Sequence, residues 1–135
     1  LHTGRRRQRQ MCIRDRGILH GSRAYCIQDS DGQIGETESL SSGLDYPSVS
    51  PLHCFLKDAG RAIYTSATDE DALGAYKLVS KLESISPSLE PSHAFHTAIK
   101  LAPKLSKEHV VIVNSCGHSR KDAEIIKSKL GYYKA

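Results

Sequence analysis

No run of these 135 residues is apolar for long enough to span a membrane, and no apolar core follows the basic start as a secretion signal would require. The four cysteines, Cys12, Cys26, Cys54 and Cys116, lie far apart and form no Cys-x-x-Cys pair. That spacing argues against a disulfide framework or a zinc site, and for free thiols in a reducing compartment. A glycine-rich phosphate loop is missing as well. His93 and His96 stand three apart, but no third ligand lies at a useful spacing, so the metal reading lacks a complete ligand set. Asp29-Ser30-Asp31-Gly32 lacks the spacing of a calcium loop and reads as a β-turn.

Basic charge is scarce outside one place. The net charge is +4, yet residues 1–16 hold six arginines and one aspartate. The remainder carries 13 basic against 14 acidic residues and is close to neutral. Taken as protein, residues 1–16 are a disordered basic arm able to hold nucleic acid, which makes the chain a non-catalytic binding module. A different origin is expected. Arg6 to Arg16 can be encoded by a string that resembles a transposase-based sequencing adapter read in one frame. Residues 1–16 are therefore set apart as a translated adapter joined to a shortened gene, and residues 17–135 as the domain proper, one domain or part of one.

What is present reads as alternating short strands and helices. Ala24-Tyr25-Cys26-Ile27 suits a strand, with Gln33 to Glu38 returning as the second arm of a hairpin. Ser39 to Pro51 is a loop rich in hydroxyl and carbonyl oxygens, suited to a substrate loop or an oxygen-lined cation site. Leu52 to Ala62 suits a helix with Leu52, Phe55, Leu56 and Ala59 on its buried face, ending at Gly60. Ile63 to Ala67 suits a short strand. Thr68 caps the next helix, with Asp69, Glu70 and Asp71 in the first turn and a buried stripe of Ala72, Ala75, Tyr76, Val79 and Leu82. The helix after it is expected to start at Pro91, which pushes Glu90 just outside and sets its carboxylate at the positive helix start.

The stretch most suggestive of chemistry is Val110 to Asp122. Val110-Val111-Ile112-Val113 has the pattern of a strand buried on both faces. Small polar residues and Gly117 follow, and then a helix with Ser119 as N-cap, Asp122 three residues on, and Ile125, Ile126 and Leu130 on one face. In open α/β sheets ligands bind beyond strand ends and beside helix N-termini, so Asn114 to His118 is the first place to look. The plain alternative is an ordinary connection. The order of elements is α/β, with too few strands for a complete sheet.

These residues, taken together, resemble a known family. Gly17-Ile-Leu-His-Gly21, Gln28 to Ile34, Ser42-Gly-Leu-Asp-Tyr-Pro-Ser-Val49, Gly60-Arg61-Ala62, Thr68-Asp-Glu, Leu89-Glu90 with Ser92-His93-Ala94, and the Val110 stretch resemble the C-terminal third of tryptophan synthase β chains, cytoplasmic (or plastid) fold-type II pyridoxal-phosphate lyases. The resemblance implies a fragment of a three-layer αβα sheet with flanking helices. It implies that the intact protein condenses indole with L-serine to L-tryptophan through an aminoacrylate, paired with an α subunit and a second β subunit, with no nucleic acid or membrane partner. Asp45 would sit in the substrate pocket. Tyr46 and Ser48 would give backbone carbonyls to a monovalent cation. Glu90, Cys116 and Gly117 would lie against pyridoxal phosphate, and Leu19 and His20 along the path of indole.

Cys116 stands where the family carries a serine hydrogen-bonded to the pyridine nitrogen; a thiol makes that contact weakly and at longer range. Gly117 to Asp122 replaces a family pattern of Gly-Arg-Gly-Asp-Lys-Asp. The Schiff-base lysine and phosphate loop belong upstream, while Lys57, Lys77, Lys81 and Lys100 are expected on ordinary helix surfaces. This chain alone is therefore expected to be inactive. A sister fold-type II lyase acting on another amino acid is the remaining alternative.

Overall fold

The structure, a computed structural model, describes residues 15–131, in two compact units: residues 15–39 with 45–66, and residues 40–44 with 67–131. Residues 1–14, which hold Cys12 and most of the basic arm and of the expected adapter, lie outside the described residues.

The first unit starts with an antiparallel hairpin, β1 (Asp15–Leu19) and β2 (Ser22–Cys26), in the register Gly17↔Ala24. Its two-residue loop, His20 and Gly21, has φ of 49° and 76°. Positive φ at both positions is what a primed hairpin turn requires, because only that hand matches the twist of the strands. β1 thus begins at Asp15, inside the segment set apart above as the arm. Arg16 pairs across the ladder with Tyr25 and forms an ion pair with Asp58.

The hairpin forms one strand earlier than the sequence suggests. The Asp29 turn does form: Asp29 Oδ1 accepts from the N–H groups of Asp31 (3.0 Å) and Gln33 (2.9 Å), and Gly32 adopts φ 78°. The return strand shrinks to a single bridge, Gln28↔Ile34. The second edge of this segment is taken by residues 47–49 instead. Ile27 N–H donates to Pro47 O (2.7 Å) and Val49 N–H to Tyr25 O (3.2 Å).

Helix α1 (Pro51–Asp58) is capped by Ser50 and carries proline at its first position, where the missing N–H costs no helical bond. It ends before Gly60, which adopts φ 64°, and does not reach Ala62. Its expected buried face is largely exposed, with only Leu56 half-buried. Leu52 and Phe55 are 61% and 64% exposed, and Cys54 is the buried residue. Ile63 to Ala67 forms no strand, and Ile63 is 94% exposed. A short apolar run becomes a strand only where another strand offers it a ladder, and none does so here among the described residues.

The second unit is built on α2 (Asp69–Glu83) packed against α3 (Leu89–Leu101). Thr68 and Asp71 form a reciprocal capping box, with Asp71 N–H donating to Thr68 Oγ1 (3.1 Å) and Thr68 N–H to Asp71 Oδ2 (2.9 Å). Those bonds, Thr68 N–H first, hold the Asp71 carboxyl below its ordinary range. Ala72, Leu73, Ala75 and Val79 are buried, Tyr76 is half-buried and Leu82 is exposed. Helix α4 (Ala123–Leu130) follows a 3-10 turn at Ser119–Asp122 and ends at Gly131, with φ 65°. Leu73, Leu89 and Ile126 form the core, ringed by Leu40, Tyr76, Ile125 and Leu130.

Val110 to Val113 is not a buried strand. It has no ladder partner, and Val110 and Ile112 are 84% and 88% exposed. A strand buried on both faces needs strands at its edges and helices above and below, and the described residues supply neither at this place. The described residues combine four α-helices with a two-stranded sheet, compatible with a piece of an α/β protein. None of the helices is long and apolar enough to cross a membrane.

Candidate functional site

The site in the second unit starts from a short antiparallel contact. Ser88 N–H donates to Gly117 O (2.9 Å) and Ser119 N–H to Ser86 O (2.9 Å), around the bridge Pro87↔His118. Proline fits between them because this pair needs no donor from residue 87. The contact brings Gly117 against the first turn of α3. A Cβ on Gly117 would lie 2.6 Å from Ser88 Oγ, so no larger residue fits without displacement.

Helix α3 starts two residues earlier than its sequence suggests. Leu89 and Glu90 are inside it, and Pro91 is its third residue. Proline is tolerated there because first-turn N–H groups have no intrahelical acceptor. Glu90 is therefore helical, not displaced, but its carboxylate does sit at the positive end. Ser88 makes no side-chain cap. Asp122 supplies one from elsewhere: its Oδ2 accepts from Leu89 N–H (2.9 Å) while its side chain is 3% exposed. This overturns the expected Ser119–Asp122 capping box. Asp122 makes no side-chain cap on the helix that follows it. His118 caps the 3-10 turn in its place, accepting from Arg120 N–H.

Lys121 closes the cluster. Its Nζ donates to Glu90 Oε1 (2.7 Å) and to Asp122 Oδ1 (2.9 Å). Glu90 Oε1 also accepts from Gly43 N–H (3.0 Å), and a Cβ on Gly43 would crowd that oxygen at 2.9 Å. Burial pushes the Glu90 carboxyl up, but Lys121, its own N–H, Gly43 N–H and the Ser88 hydroxyl together outweigh it and hold the group down at about 2. Its second oxygen, Oε2, is buried and has no hydrogen-bond partner. At neutral pH this is a fixed anion with one oxygen committed and one uncommitted. It is not a proton donor.

Among the expected site residues, Glu90 and Gly117 thus come together at the start of α3. Cys116 is an exposed free thiol beside Gly117. The first unit holds the others. Tyr46 and His20 meet by a hydroxyl–Nδ1 hydrogen bond of 2.6 Å. Ser48 Oγ donates to Tyr25 O (3.2 Å) and accepts from the Cys26 thiol (3.3 Å). Asp45 is exposed and Leu19 half-buried. His93 is turned onto its own helix, Nδ1 lying 2.8 Å from Leu89 O, and His96 faces Asp71 at 3.7 Å. Among the described residues no three His, Cys, Asp or Glu side chains gather as metal ligands would. Lys57 lies over the Tyr25 ring at 4.8 Å and is not simply solvated; Lys77, Lys81 and Lys100 are exposed on their helices.

Gly43, Ser88 and Lys121 join the site beyond the residues that the sequence points to. Lys121-Asp122 repeats the last two residues of the family pattern quoted above, and that was the available signal for the pair. Nothing local marks Gly43 as a partner of a residue 47 positions away.

No family model matches the chain. Among curated proteins it is 50% identical over 116 residues to the tryptophan synthase β chain of Cereibacter sphaeroides, covering 86% of this chain. It is 51% identical over 116 residues to that of Ruegeria pomeroyi and 51% identical over 115 residues to that of Rhodopseudomonas palustris, covering 86% and 85% of this chain. The chain spans about 28% of the length of each of these relatives. Over 86% of its length, then, this chain is similar to tryptophan synthase β chains, in an extent consistent with a C-terminal piece of one.

Proposed function

We propose that the chain is the C-terminal part of a fold-type II pyridoxal-phosphate lyase, a cytoplasmic tryptophan synthase β chain, and that the longer protein joins indole to L-serine with an α subunit and a second β subunit as partners. The observation that carries this reading is the 50% identity across 116 residues. The Glu90 cluster supports it, since it sets an ionised carboxylate and the Cys116–Gly117 turn at one helix start.

The residues present fit one side of such a cofactor. Glu90 Oε2 is a buried acceptor without a hydrogen-bond partner, which suits a donor on such a group. Pyridoxal phosphate, when bound, supplies the electron sink that stabilises a carbanion at the amino acid. Glu90 would lie beside its ring, and it stays ionised because Lys121 and Gly43 N–H satisfy Oε1. Cys116 would face the ring nitrogen as a weak, long-range hydrogen-bond partner. Asp45 would order the substrate pocket around the serine hydroxyl, and the carbonyls of Tyr46 and Ser48 would hold a monovalent cation. Such a cation needs oxygen atoms, not side-chain charge.

The test is the longer gene product that contains residues 17–131, purified with a tryptophan synthase α subunit. Tryptophan formed from serine and indole is expected, and its absence from folded, cofactor-loaded protein overturns the reading. The 135-residue chain alone is expected to form none; tryptophan from it defeats the assignment of the catalytic lysine to another segment.

A further inference from the structure

The cluster around Glu90 contains one group whose task goes beyond neutralising charge. Resting on the function proposed above, we propose that Lys121 is the positioning residue of this site: it ties Glu90 Oε1 to the buried Asp122 and so reserves Glu90 Oε2 for a hydrogen-bond donor on the ligand.

The geometry has three parts. Asp122 is a rigid anchor, 3% exposed and bonded through Oδ2 to Leu89 N–H. Lys121 spans from that anchor to Glu90, with Nζ at 2.9 Å from Asp122 Oδ1 and 2.7 Å from Glu90 Oε1. Gly43 N–H takes the same Glu90 oxygen from a separate segment, at 3.0 Å. Lys121 Nζ and Gly43 N–H converge on Oε1, and the Ser88 hydroxyl and Glu90's own N–H add to the hold on the carboxylate, while Oε2 is buried and makes no hydrogen bond of good geometry. A carboxylate with both oxygens unconstrained turns to share its donors. Here Lys121 and Gly43 fix the rotation. A buried acceptor without a partner is costly unless a ligand fills it, so the complementary group is an N–H or O–H donor, not an anion. Lys121 is itself 49% exposed along its side chain, so it reaches the site from the solvent side.

Glu90 is read directly by carbon-13 NMR titration of the side-chain carboxyl in the purified 135-residue chain. The unaltered chain is expected to titrate near 2. Lys121→Met is expected to raise that midpoint by at least about one unit, and Lys121→Arg to keep it within about half a unit, because the charge and a donor remain. An unmoved midpoint in Lys121→Met overturns the proposal. If that variant does not fold, the unaltered chain is titrated at 1 M salt. An ion pair with a half-exposed lysine is screened there and the midpoint rises; a midpoint indifferent to salt overturns the proposal. In the longer protein, Lys121→Met lowers kcat more than it raises KM, and Lys121→Arg restores most of the loss; equal loss in both variants overturns the positioning role. The titration needs neither cofactor nor turnover. The proposal therefore fails on an unresponsive Glu90 even where tryptophan is made, and the function fails on absent tryptophan even where Glu90 responds.

Discussion

In the unit formed by residues 40–44 and 67–131, Leu73, Leu89 and Ile126 close a core against two long helices. In the unit formed by residues 15–39 and 45–66, the buried apolar residues are Ala24, Cys26, Ile27 and Cys54, while Ile18, Leu52, Phe55 and Ile63 stand exposed. Large aliphatic side chains contribute more on burial than alanine or cysteine, at roughly 25 cal/mol per Å² of apolar surface. The polar contacts differ in the same sense. Asp122 acts from a buried position on a backbone N–H, whereas Asp58 acts from the surface on Arg16 and the Tyr25 hydroxyl. Where apolar burial and polar anchoring coincide, the structure assembles the candidate site. Where they do not, the hairpin is held by its own ladder and by residues 47–49.

The largest effect expected from this contrast is at Asp122. Asp122→Ala leaves the Leu89 N–H buried without an acceptor and removes one of two carboxylates from Lys121. The cost is roughly 2–4 kcal/mol, the range for breaking a buried, charge-assisted contact. Urea denaturation gives the loss, and amide exchange at Leu89 reports it locally. A loss below about 0.5 kcal/mol, the level of an ordinary surface change, erases the distinction between the two units.

Gly117→Ala comes next. Gly117 has no positive φ, so the penalty is steric: the new methyl meets Ser88 Oγ at 2.6 Å. The serine hydroxyl turns or the 117–119 segment retreats, at about 1–3 kcal/mol as for overpacking elsewhere. The paired amides of Ser88 and Ser119 are expected to lose exchange protection together, because both bonds belong to the one short contact. Protection unchanged at both would mean that the turn carrying Cys116 is not held by Ser88.

What the sequence made legible divides along the same line. Thr68 with Asp71, the Asp29 turn, and glycines at 60 and 131 depend on atoms a few residues apart, and each stands where its pattern indicates. Glu90 was legible through family resemblance, and its helix end through charge at the first turn. Lys121 as its partner was not, since the contact spans 31 residues and lysine is unremarkable on a helix-entry segment. A capping-box pattern is local and points Asp122 to its own helix, whereas its carboxylate accepts from Leu89 N–H, 33 residues away. Val110 to Val113 and Ile63 to Ala67 failed for the opposite reason. A β-branched run expresses a preference, but a ladder needs a second strand.

The smallest effect is expected at Asp58, and it sharpens the contrast most. Asp58 accepts from the Tyr25 hydroxyl at 2.6 Å and pairs with Arg16. Two cations lie over the Tyr25 ring, Arg16 at 5.5 Å and Lys57 at 4.8 Å from its centroid. Asp58→Ala removes the one carboxylate that this arrangement shares and leaves both cations on the ring. On charge alone that resembles the Asp122 change. The difference is water: the Arg16 and Asp58 side chains are 49% and 34% exposed, against 3% for Asp122. Exposed pairs are worth about 1 kcal/mol or less and are screened by salt. Asp58→Ala is therefore expected to cost under about 1 kcal/mol at low ionic strength and to become nearly neutral at 1 M salt, where Asp122→Ala keeps most of its effect. Parallel denaturation of the two variants at both salt concentrations measures it. Equal salt sensitivity would mean that Asp122 is reached by solvent, and the account of Lys121 bridging from a dry anchor to Glu90 would fall with it.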